Sequence, residues 1–191
     1  LYHNMNPKNS IFTMKVEYGI GTKEDPALRY AAELGNMIGN EKYSFNVFKE
    51  ELQKIGATIN FYSSGDYFGL DIKGFDKNFE KTISMAGGFL QNLKVRKEDK
   101  KKLKKLIQSS TLERMFEGRD ASTKGNALRD YALWGQNSNW LKRSTIKEVK
   151  KMDTDFLLDK ISAAMKYETT IFFTGTLLSL IHISEPTRRY R

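Results

Sequence analysis

Three short stretches of this chain alternate apolar and polar residues with a period of two. That pattern is compatible with a sheet that has one covered face, and with little else. In "SIFTMKVEYGIGT", Ile11, Thr13, Lys15 and Glu17 alternate with Phe12, Met14, Val16 and Tyr18. The buried face is expected to run through Phe12, Met14 and Val16, and Gly19 and Gly21 end the strand. "ATINFYSS" and "DYFGLDIKGF" alternate in the same way across Ser64-Gly65-Asp66. Two such runs joined by a short polar turn read as a β-hairpin. "ETTIFFTGT" near the end is a further strand-like run.

Helical spacing fills the intervals. Asp25-Pro26 starts a helix carrying Leu28, Ala31, Ala32, Leu34 and Ile38, with Asp as cap and Pro in the first turn. Ser44 caps a second helix with Phe45, Phe48, Leu52 and Ile55 on one face, and Gly56 stops it. Asp76 caps a third, carrying Phe79, Ile83, Ala86, Phe89, Leu90 and Leu93. A basic segment from Lys94 leads into a long helix ending near Glu117, and another runs through Leu128 to Trp134. "STIKEVKKM" forms a short turn, and a last helix runs from Thr154 to about Lys166. Strand, two helices, hairpin, helices and strand make an α+β domain: a mainly antiparallel sheet with helices packed on one face. No linker rich in Pro, Gly or Ser divides it.

Composition removes several chemistries. The 191 residues contain no Cys, so thiolate zinc sites, Cys nucleophiles and disulfides are absent. Only His3 and His182 are present, at opposite ends of the chain. No run of roughly 18 apolar residues exists to form a membrane span. The net charge of +9 owes much to Lys94, Arg96, Lys97, Lys100, Lys101, Lys102, Lys104 and Lys105. This run is either a phosphate-contacting patch or the solvated face of a helix buried through Leu103, Leu106 and Ile107. No interleaved aromatic or glycine-rich element accompanies it, so nucleic acid is not an expected partner. "GIGT" lacks the context of a cofactor loop, and no Gly-x-Ser-x-Gly occurs. Tyr131, Trp134 and Trp140 serve either an aromatic binding surface or packing, with packing the expected use.

The order of the residues themselves has a known counterpart. "NPKNSIFTMKVEYGIGT", "YSFNVFKEELQKIGATINFYSSGDYFGLDIKGFDKNFEKTISMAGGFLQN", "LRDYALWGQNSNW" and "FFTGTL" resemble the insulinase/pitrilysin family of zinc metallopeptidases over nearly all of Asn6 to Leu177. The opening Asn6-Pro7-x-Asn9-Ser10 and the closing Phe173-x-Gly175-Thr176-Leu177 are most similar to the first domain of the second half of large two-half bacterial members.

In that family, active domains carry H-x-x-E-H on the helix after the first strand, and a later helix supplies a third ligand, a Glu. The resemblance lays this motif on Ala32-Glu33-Leu34-Gly35-Asn36. Ala32 and Asn36 replace the two His, Gly35 replaces the catalytic Glu, and Glu113 falls in the third-ligand slot by spacing. The resemblance therefore implies a catalytically empty domain with no zinc of its own. Catalysis and zinc would belong to another domain of a longer parent chain. Family members build each half from two related domains, and the halves close around a peptide. The strand Ala57, Thr58, Ile59, Asn60 and Phe61 corresponds to the strand that pairs with extended substrate in active domains, and is the candidate peptide-binding edge.

The expected role is thus chamber wall in a peptidase. Its partners are the other domains of the parent and peptide substrate, in a periplasmic or cell-envelope setting. A non-enzymatic core subunit of the same fold is the alternative, and a basic nucleic-acid-binding module a more distant one. The end, "LSLIHISEPTRRYR", is set apart from this reading. Leu178 to Arg188 resemble a translated sequencing adapter, so residues 1–177 are expected to form the domain and 178–191 a non-native tail. The native chain would then continue past Leu177.

Overall fold

The computed structural model describes residues 2–5 and 9–176. The proposed tail from Leu178 lies outside the described residues.

Five strands form one sheet: β1 (Tyr2–Met5), β2 (Ile11–Tyr18), β4 (Thr58–Ser63), β5 (Phe68–Phe75) and β7 (Thr169–Gly175), in the order β1-β7-β2-β5-β4. β1 runs parallel to β7, and every other pairing is antiparallel. A second, two-stranded sheet pairs β3 (Gly39–Asn40) with β6 (Leu93–Lys94). The helices are α1 (Leu28–Gly35), α2 (Phe45–Lys54), α3 (Phe79–Gln91), α4 (Lys97–Glu117), α5 (Ala121–Trp134), α6 (Asn139–Lys142), α7 (Ile146–Val149) and α8 (Thr154–Ala164).

The period-two pattern decides which sheet face is covered. Phe12, Val16 and Tyr18 of β2, Phe68, Leu70 and Ile72 of β5, Phe61 of β4 and Phe173 of β7 are buried. Lys15, Glu17, Asp71 and Tyr62 lie on the other face. There Lys15 pairs with Glu17 at 3.1 Å, and the Tyr62 hydroxyl donates to Glu17 at 2.8 Å. Burial, and then the Glu17 carboxylate, push the Tyr62 phenol above its ordinary pKa. Helices cover the apolar face. α1 buries Leu28, Tyr30, Ala31, Ala32 and Leu34 against β4 and against Leu157, Ile161 and Ala164 of α8. Each large aliphatic side chain so buried contributes about 2 kcal/mol. Phe48 of α2 stacks on Phe89 of α3 with centroids 4.2 Å apart, closing the far end of the core.

Local signals place most boundaries. Gly56 has φ +65 and ends α2: its N–H donates to Gln53, and the Ala57 N–H donates to Leu52. This paired return is the arrangement glycine permits at a helix end. Several details differ from the sequence reading: α1 ends at Gly35 short of Ile38, Leu93 leaves α3 for β6, and Ile146–Val149 forms a helix where a turn is expected. Asp25-Pro26 forms a turn and α1 begins at Leu28, because the Asp25 carboxylate accepts the Ala27 N–H and its carbonyl accepts that of Leu28. Ser44 occupies the α2 cap position without a side-chain bond. Asp76 is buried and starts a 3-10 turn (Asp76–Asn78); its carboxylate accepts the Thr176 hydroxyl instead of capping α3.

Candidate functional site

α1 brings Ala32, Gly35 and Asn36, the residues that the resemblance lays on the motif, against the edge of the sheet. Ala32 and Gly35 are buried at the α1 surface, and Asn36 is the helix C-cap. The Asn36 Nδ2 donates to the Phe61 carbonyl at 2.8 Å, and its Oδ1 accepts the Phe61 N–H at 2.8 Å. The primary amide thus reproduces the two hydrogen bonds that a neighbouring strand would make to one residue. Gly35 allows the close approach this needs. A Cβ built there would lie 2.5 Å from the Phe61 ring, which is itself only 4% exposed. Glu at this position would have to push Phe61 out of the core.

β4 is an edge strand, so the identity of what pairs with it matters. The outward-facing groups of Phe61 are taken by Asn36. Further along, the Ser64 carbonyl accepts the Thr22 N–H at 2.8 Å and the Gly65 carbonyl accepts the Lys23 N–H at 2.9 Å. Ile59, two residues before Phe61, presents its backbone in the same direction. Of the candidate strand, Thr58 and Asn60 turn their backbone groups to β5, and Ala57 precedes β4 with its side chain buried.

Glu113 does reach this region. Its carboxylate lies 3.7 Å from the Arg29 guanidinium, one turn before Ala32, and its side chain is 59% exposed. Zinc does not fit the slot. Ala32 and Gly35 carry no donor atom, and the Asn36 amide is committed to Phe61. Among the described residues, no three His, Asp or Glu side chains come together in a way that would hold a metal ion.

Two adjoining cavities surround the slot. One, of about 440 Å3, lies between α1 and β4 and is bordered by Arg29, Ala32, Asn36 and Tyr62. The other, of about 470 Å3, shares Thr22, Arg29 and Gly65 with it and extends to Arg114, Arg129, Trp140 and Arg143. The sequence reading missed this second cavity, since its residues are scattered from Thr22, before α1, to Ser144, after α6.

The basic run proves to be more than a solvated face. Arg96 donates to the carbonyls of Tyr43 and Asn40, each at 2.8 Å, and Lys102 to that of Met37 at 3.0 Å. Asp99 organises both: it accepts the Arg96 N–H at 2.9 Å and pairs with Lys102 at 2.9 Å, while only 1% exposed. The segment after the slot is thereby tied down to α4. The aromatic side chains also differ from expectation. Tyr131 and Trp134 are exposed instead of packed, and the Arg143 guanidinium sits 3.6 Å from the Trp140 ring centre.

This architecture is that of M16 peptidase domains. The chain superposes on an M16 peptidase inactive domain from Pseudomonas fluorescens with a TM-score of 0.74 at 11% identity, over 92% of this chain and 43% of that one. It superposes on the first half of the periplasmic protease PqqL from Escherichia coli with a TM-score of 0.71 at 14% identity, over 95% and 41%. A third likeness is to the ferredoxin protease FusC, solved as a point mutant in complex with Arabidopsis ferredoxin: TM-score 0.72, 12% identity, over 90% and 19%. The chain spans less than half the length of each of these proteins. No family model matches the sequence. No curated protein matches it.

Proposed function

We propose that this chain is a non-catalytic domain of an insulinase-like zinc metallopeptidase, and that it forms part of the wall of a peptide-enclosing chamber. The observation that carries the reading is the use of the motif slot. In an M16 peptidase fold, the helix that would bear the metal ligands bears Ala32, Gly35 and Asn36, and these lock α1 to β4. Zinc and peptide hydrolysis then belong to another domain of the parent. The sequence similarities favour the first domain of the second half of a bacterial member, with residues 1–177 as the domain and 178–191 as adapter-derived.

Two features support the wall role. The β4 edge offers a peptide little room for strand addition, since Phe61 is already paired. The helical layer leaves Leu112, Met115, Phe116, Leu128, Leu133 and Trp134 exposed, apolar side chains available to neighbouring domains of the same parent. Sequencing the gene upstream of Leu1 tests the reading. An H-x-x-E-H motif several hundred residues upstream is the expected result, and an upstream region with no peptidase-like domain would overturn it.

A further inference from the structure

The second cavity has a chemistry that a chamber wall does not require. Arg29 of α1, Arg114 of α4, Arg129 of α5 and Arg143 after α6 all line it. Two of these are already matched. Arg29 reaches Glu33 at 3.4 Å and Glu113 at 3.7 Å, and Arg143 reaches Glu117 at 3.0 Å. The other two form no salt bridge among the described residues, but neither is isolated: Arg114 donates to the Ser144 carbonyl and lies near Glu148, and Arg129 lies near Asp130. The carboxylate in the cavity lining, Asp130, is committed elsewhere. It accepts the Ser138 hydroxyl and the Trp140 N–H, and these bonds hold its carboxyl below the usual range. With Glu33 and Glu113 on Arg29, Glu117 on Arg143, and Asp130 and Glu148 near Arg129 and Arg114, the lining has no excess positive charge, so an anion is held here by directed donors and not by net charge. That suits a monoanion better than a dianionic phosphate. A guanidinium presents paired N–H donors matched to the two oxygens of a carboxylate.

We propose that this cavity binds a carboxylate carried by a peptide, gripped between Arg114 and Arg129 with the Trp140 ring as one wall. Its continuity with the slot cavity through Arg29 and Gly65 gives an extended chain a route between the two. The peptide carrier rests on the function proposed above; the carboxylate chemistry does not.

The test uses the 191-residue chain with Trp134→Phe, which leaves Trp140 as the sole fluorophore of the two tryptophans. Its emission is titrated with the peptide Ala-Ala-Phe-Ala-Ala, with its C-terminal amide, and with the amide ending in Glu in place of the last Ala. Acetate and inorganic phosphate complete the set. Saturable binding of the free-acid peptide or of the Glu amide, but not of the neutral amide, is expected. Which of those two binds distinguishes a chain terminus from an acidic side chain. Arg129→Gln should weaken binding about tenfold, the loss of one charge-assisted pair, and Arg129→Lys should restore part of it. Arg129 is exposed, so both variants should fold. Equal binding of the neutral amide, tighter binding of phosphate than of acetate, or an affinity indifferent to Arg129→Gln would overturn the site. Acetate binding without peptide binding would overturn the peptide carrier alone.

Discussion

One residue does the work of a missing strand. The Asn36 amide pairs both backbone groups of Phe61, and Gly35 supplies the clearance. Asn36→Ala would leave a partly buried N–H and C=O without partners, at a cost of about 2 kcal/mol. For a domain of this size that is a fall in Tm on the order of 6 °C. The distinctive readout is hydrogen exchange at the Phe61 amide, which should accelerate far more than exchange at Leu70 across the ladder. Uniform acceleration throughout the sheet would argue that Asn36 contributes general packing and no specific pairing. This clamp was not legible in the sequence. Ala32, Gly35 and Asn36 could be assigned to one helix by spacing, but Phe61 lies 25 positions from Asn36, and nothing local marks them as partners.

At the scale of elements, periodicity carried the reading as far as periodicity reaches. β2, β4, β5 and β7 alternate clearly because each presents one face to the core and one to water, and the turn at Ser64-Gly65-Asp66 joins two of them. β1 escaped notice because it spans only four residues and its parallel partner, β7, lies at the opposite end of the chain. β3 and β6 span two residues each, too few for a period to show. The basic run was legible as charge, and its division of labour was not. Lys100, Lys101, Lys104 and Lys105 need nothing more than water, whereas Arg96 and Lys102 are consumed in holding the loop after α1. Asp99 is the pivot of that latch. Asp99→Ala should cost about 2–3 kcal/mol, less than for a fully buried pair because Lys102 keeps access to solvent. Denaturant unfolding would measure this as a lower midpoint with an unchanged slope. A change within a few tenths of a kcal/mol, as expected of ordinary surface positions, would show that α4 is anchored by Leu103 and its apolar neighbours alone.

For the whole molecule, the fold and the site point the same way. The sheet carries its helices on one face in a fold shared with M16 peptidase neighbours, and Asn36 at the end of α1 ties that helix to β4. The exposed apolar side chains of α4 and α5 and the arginine cavity beside Asn36 lie at the surface of the domain. The measurement that bears most directly on this account is the zinc content of the purified 191-residue chain. The protein would be incubated with excess zinc, dialysed and analysed by elemental mass spectrometry. Zinc well below one ion per chain is the predicted result, since the slot presents no free donor. One tightly held zinc per chain would contradict the account at its centre.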